Sequence, residues 1–106
     1  MTESSAHTDA VDILRRRYVG DDVQRATEIE RERTNAEVAQ LIYDRRMAAG
    51  LTQKDLAKLV GTTQSVISRL EDADYEGHSL TMLQRIAAAL GQRITIGMAP
   101  PERRTA

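Results

Sequence analysis

The stretch from Leu51 to Glu71 constrains this chain more than any other, because it holds two helix starts on either side of a glycine. Thr52-Gln-Lys-Asp55 sets a hydroxyl where it can accept from a first-turn amide, and a carboxylate that can reach back to the cap's own N–H. Leu51 and Leu56 occupy the positions of a hydrophobic staple around that start. Gly61 can take the positive φ that ends the first helix. Thr62 or Thr63 caps the second, whose apolar positions are Val66, Ile67 and Leu70. Ala57 is small enough to let the two axes cross closely. The order Gln53, Ala57, Gly61, Ile67, Leu70 therefore predicts two short helices joined by a tight turn.

The flanking segments supply the rest of a helical core. With no Phe or Trp, that core must come from Leu, Ile, Val, Met and Ala, residues that suit packed helices. Upstream, Thr34-Asn-Ala-Glu37 reads as another capping box. The helix it opens has Val38, Leu41, Ile42 and Tyr43 near one face and Gly50 at its end. A continuous helix from Asp22 is the alternative, since nothing between the two forbids one. Asp22 to Arg33 is charge-rich, with Val23, Ala26 and Ile29 as its sparse apolar positions, and Asp9 to Tyr18 shows a weak helical stripe of Val11, Ile13, Leu14 and Tyr18. Downstream, Ala73 to His78 form a loop, and Ser79 caps a helix patterned by Leu80, Leu83, Ile86, Ala87 and Leu90 up to Gly91.

Past Gly91 the period changes. Ile94, Ile96 and Met98 alternate with Arg93, Thr95 and Gly97, as in a half-buried strand. A lone strand cannot satisfy its own backbone, and no other segment of the chain reads as a strand. The expected partner is the same strand of a second subunit; the alternative is that these side chains cover the protomer's own core.

Several function classes fall away. The absence of Cys removes disulfides, thiolate metal sites and thiol nucleophiles, and points to a reducing cytosol. His7 and His78 lack the neighbours that a metal site or proton relay requires, so no metal, cofactor or catalysis is expected. Met1 to Asp12 lack a signal-peptide pattern, and no apolar run approaches the ~20 residues of a membrane span. Fifteen basic residues are balanced by 16 acidic ones for a net charge of -1. Attraction to nucleic acid would have to come from a local face.

That face lies on the second short helix. At about 100° per residue, Ser65 and Arg69 point away from Ile67, with Val66 and Ser68 on the flanks and Gln64 in the first turn. Gln can bond bidentately to adenine, Arg to guanine, and a Val methyl can meet a thymine methyl. Gln64, Arg69 and Val66 are therefore the candidate base readers, with Ser65 an adaptable contact. Lys54, Lys58, Arg45 and Arg46 could touch phosphate or form a solvated face. Tyr75 and His78 could touch the DNA backbone, although ordering their loop is the commoner job.

Gly50-Leu-Thr-Gln-Lys-Asp-Leu-Ala57 and Gly61-Thr-Thr-Gln-Ser-Val-Ile-Ser-Arg-Leu-Glu71 resemble the DNA-binding domains of lambdoid phage repressors and the wider Xre/Cro-type family, over roughly Glu37 to Leu90. The resemblance implies phosphate contact by Gln53 and a structural pair between Arg46 and Glu71; Lys54, Thr63 and Ser68 are further phosphate candidates. More narrowly the chain is similar to HigA-like antitoxins, which carry an extension before this domain and a strand after it, repress their own operon and bind a RelE/HigB-like toxin. The expected architecture is thus mainly all-α, a lambda-repressor-like helix-turn-helix domain of four to five helices. Residues 1–33 would be an extension, partly helical or disordered; 34–91 the DNA-binding domain; 92–99 a dimerisation strand with Ile94, Ile96 and Met98; and 100–106 a tail. The expected function is a cytoplasmic, nucleoid-associated bacterial regulator, a homodimer on an operator, with a toxin as a possible partner and no membrane association.

Overall fold

In the computed structural model the described residues are 20–101, with side chains from Asp22 onward. The expected helix over Asp9 to Tyr18, the tail Met1 to Thr8 and residues 102–106 lie outside them. Four helices follow in order: α1 (Gly20–Ala48), α2 (Gln53–Val60), α3 (Gln64–Leu70) and α4 (Leu80–Ala89). The chain divides into two units, residues 1–31 and 32–106. Within the first, the described residues belong to the opening turns of α1.

Thr34 to Glu37 does not start a helix, because α1 runs through it without interruption. A capping box needs a cap residue in extended geometry. With no Gly or Pro between Asp22 and Arg33 to break the preceding turns, continued helix satisfies those amides instead. The buried face of α1 is also narrower than expected. Ala39, Ile42 and Arg46 are buried with Val38 packed beside them, whereas Leu41 and Tyr43 are exposed. Each lies about 100° from Ile42, on opposite flanks of the stripe.

The core joins Ile42 of α1, Leu56, Ala57 and Val60 of α2, Ile67 and Leu70 of α3, and Ile86 of α4. Tyr75, Met82, Leu83 and Leu90 pack around it, while Leu80 is exposed at the first position of α4. Local chemistry sets the helix ends. Thr52 caps α2 in a complete capping box: its Oγ1 accepts from Asp55 N at 3.0 Å, and its own N–H donates to Asp55 Oδ2 at 3.1 Å. Thr63 Oγ1 accepts from Val66 N to cap α3, and Ser79 Oγ accepts from Met82 N to cap α4. Gly61, at φ 82°, ends α2 in the left-handed region. That bend lets Thr62 N donate back to Ala57 O at 2.9 Å.

The Asp55 carboxyl is held below its ordinary value, chiefly by the backbone N–H of Thr52, then by the Thr52 hydroxyl, with Lys58 and Lys54 adding to the effect. A carboxyl depressed in the fold stabilises it above the unfolded value of about 3.9, and that contribution is lost as pH falls through the lower, folded value. The Thr52 amide proton, followed by NMR during acidification, should titrate with a midpoint below about 3.9, and Asp55→Asn should abolish that transition. A midpoint at or above it would contradict the capping geometry.

The expected strand from Arg93 to Met98 is not formed in the single chain: among the described residues there is no strand. Gln92 N donates to Ala87 O at 2.7 Å, and no backbone amide beyond it has a backbone partner among the described residues. Ile94 is half-buried, whereas Ile96 is 73% and Met98 fully exposed. No helix among the described residues is long and apolar enough to cross a membrane.

Candidate nucleic-acid interface

Helix α3 has seven residues, too few to hold its shape alone. Its helicity comes from the buried Ile67 and Leu70 and from the Thr63 cap. Those anchors turn Gln64, Ser65, Ser68 and Arg69 outward, and all four are exposed. Arg69 has no hydrogen-bond or ion-pair partner among the described residues, so its five donors face solvent. Val66 differs from its neighbours: it is half-buried and packed against the core, which leaves only part of its apolar surface open.

At the other end of α3 a buried polar network ties three helices together. Arg46 of α1 forms a two-pronged bridge to Glu71, Nε to Oε2 at 2.7 Å and Nη2 to Oε1 at 2.9 Å. Nη1 donates to the Leu51 carbonyl at 2.8 Å, and Tyr43 lies with its ring centroid 5.3 Å from the guanidinium carbon. The hydrogen bond to Glu71 raises the Arg46 pKa above its ordinary value, against the opposing effect of burial. Gln53, the first residue of α2, donates from Nε2 to Glu71 Oε1 at 3.2 Å.

The candidate phosphate contacts are therefore not equivalent. Lys54 is exposed, and among the described residues it forms no hydrogen bond or ion pair, only a weak electrostatic interaction with Asp55. The Thr63 oxygen is committed to the Val66 amide while its hydroxyl proton can still be donated. Gln53 is half-buried, with one amide proton spent on Glu71, one remaining, and its main-chain N–H among those at a helix start that no intrahelical acceptor satisfies.

The loop after α3 is ordered from within. His78 Nε2 donates to Leu70 O at 2.7 Å, supplying a partner at the end of α3, and Tyr75 meets the His78 ring edge-on at 5.0 Å. These contacts give both residues the loop-ordering job. The same loop exposes Asp72, Asp74 and Glu76, a charge that phosphates would repel. A contact that sequence reasoning did not find is Arg85 of α4, whose Nη2 donates to Val60 O. Nothing local marks Arg85, since the bond spans 25 residues. Among the described residues no group of His, Cys, Asp and Glu could hold a metal ion.

Paired short helices, a left-handed glycine at the turn, and a polar face on the second helix define a helix-turn-helix. The helix-turn-helix domain family matches residues 19–99, and the chain belongs to it, in its Xre-like branch. The chain is 37% identical over 76 residues to HigA3 of Mycobacterium tuberculosis, named as a candidate antitoxin, covering 71% of this chain and 70% of that protein. It is 46% identical over 52 residues to a helix-turn-helix-type transcriptional regulator of Methanothermobacter thermautotrophicus, covering 49% of this chain and 74% of that protein.

Proposed function

We propose that the chain is a dimeric, sequence-specific transcriptional repressor of the antitoxin type, working in the bacterial cytosol on its own operator. The observation that carries this reading is the outward set Gln64, Ser65, Ser68 and Arg69 on a helix anchored by Ile67 and Leu70. Such a helix can enter the major groove without disturbing the core. Gln64 and Arg69 read base edges, Ser65 and the open part of Val66 adapt to them, and Lys54, Gln53, Thr63 and Ser68 hold phosphates. The segment 92–99 pairs with its copy through the open backbone amides past Gln92, bringing Ile94, Ile96 and Met98 together. Two recognition helices then meet successive grooves ~34 Å apart.

Base reading and phosphate holding make different predictions. Arg69→Ala should weaken binding to a selected duplex by about 1 to 3 kcal/mol and relax preference at one base pair. Lys54→Ala should weaken all duplexes alike and lower the salt slope by about 0.9. Fluorescence anisotropy across salt concentrations measures both. Equal loss by Arg69→Ala on every sequence would remove its base-reading role, and an unchanged slope for Lys54→Ala would return that lysine to the solvated surface.

A second reading, favoured by the likeness to HigA3, makes neutralisation of a RelE/HigB-like toxin the main duty, performed by Asp9 to Arg33, with DNA binding secondary. Charge-rich segments with sparse apolar residues can fold on a partner. Removing that extension should then abolish toxin inhibition while leaving duplex binding intact; inhibition that survives the deletion counts against it.

A further inference from the structure

Arg85 belongs to α4, yet its Nη2 donates to the Val60 carbonyl at 2.7 Å. Val60 is the last residue of α2, so its oxygen is one that no amide of its own helix satisfies. The next two amides are committed elsewhere, Gly61 N and Thr62 N both donating to Ala57 O at 2.9 Å. A methyl group on Gly61 would stand 3.6 Å from the same Nη2, which places the guanidinium against the turn itself. From Arg85, α4 continues through Ala89, and its Leu90 cap and Gly91, at φ 69°, lead into the segment proposed to pair with a second copy.

We infer that Arg85 is a positioning residue that ties the α2–α3 turn to α4, and so sets the half-site spacing that the dimer accepts on DNA. This rests on the reading of the chain as a dimeric DNA-binding protein. One added base pair moves a half-site by about 3.4 Å and turns it by about 35° around the duplex. A stiff link between recognition helix and pairing segment rejects that change, and a loose link follows it. Arg85 is otherwise exposed, so direct phosphate contact is the rival role, and it carries a different signature.

The wild-type protein, Arg85→Met and Arg85→Lys are compared on duplexes that the wild type recovers from a random double-stranded pool, and on the same duplexes with one base pair inserted between half-sites. Met keeps the apolar stem without donors, and Lys keeps a charged donor. The wild type and the Lys variant should bind the lengthened duplex about tenfold more weakly, whereas the Met variant should discriminate by less than about threefold at an unchanged salt slope. Discrimination by the Met variant equal to wild type, or a salt slope lowered by about 0.9, overturns the inference. Hydrogen exchange on the free proteins is the second measurement: the Gly61 and Thr62 amides should exchange about tenfold faster in the Met variant, with Ile67 unchanged. Unchanged exchange at the turn also overturns it. A wild type that retains no duplex refutes the DNA-binding reading instead, and exchange then decides whether Arg85 holds the turn.

Discussion

Glu71→Ala should lower the free energy of unfolding by about 3 to 5 kcal/mol, because it strands the Arg46 guanidinium in a buried site. Arg46 is 7% exposed, and the substitution removes the acceptors of its Nε and Nη2 together, leaving the Leu51 carbonyl and the Met47 sulfur. Gln53 loses its acceptor in the same step. Against a total of about 5 to 15 kcal/mol for an ordinary domain, such a loss takes a large share of the stability. The double variant Arg46→Met/Glu71→Leu should recover most of it, since an apolar pair of similar volume removes the stranded charge along with its partner. Urea denaturation followed by circular dichroism measures all three. A cost below about 1 kcal/mol for Glu71→Ala would mean that water reaches the pair and that α1 and α3 are held by apolar contacts alone.

This network and the helix caps differ in how far they can be read from residues alone. Thr52, Asp55 and Gly61 act on amides and carbonyls a few positions away, so their grammar is local and the structure follows it. Thr34 and Glu37 carry the same grammar and do not form a cap, because the turns before Thr34 contain no residue that would stop a helix. A cap signature states what could start a helix and says nothing of whether one is already under way. Leu41 and Tyr43 share the apolar run of Ile42 and still stand exposed for a related reason: such a run marks a helix as buried but does not state the width of its buried face. The Arg85 bond depends on two helices meeting in space, which no spacing along the chain encodes. The alternation of Ile94, Ile96 and Met98 is plain in the sequence, but a strand forms through a second strand, and the single chain contains no partner among the described residues.

The distribution of charge bears on the interface more than the net value of -1 does. Lys54, Lys58 and Arg69 stand exposed on α2 and α3, while Asp72, Asp74 and Glu76 stand exposed on the loop that follows. A polyanion approaching this unit meets attraction at one set of elements and repulsion at the next. That contrast restricts the orientations in which a duplex can be held, and it limits sequence-independent binding, which grows with the number of phosphates neutralised.

Ile67→Ala should cost about 2 to 5 kcal/mol, the range for emptying a buried aliphatic site. Ile67 is fully buried, on the side of α3 opposite Ser65 and Arg69. A seven-residue helix gains little from its own hydrogen bonds, so the loss of this anchor removes much of what keeps α3 formed. In urea the midpoint should fall with the slope unchanged, the mark of a less stable but otherwise similar native state. Ser65→Ala, on the opposite side of the same helix, should change stability by less than about 0.5 kcal/mol. The two substitutions together test the division on which the proposed function depends, one side of α3 holding the fold and the other left open for a partner. If Ser65→Ala destabilised the protein as much as Ile67→Ala, the polar side of α3 would be part of the packing and could not enter a groove.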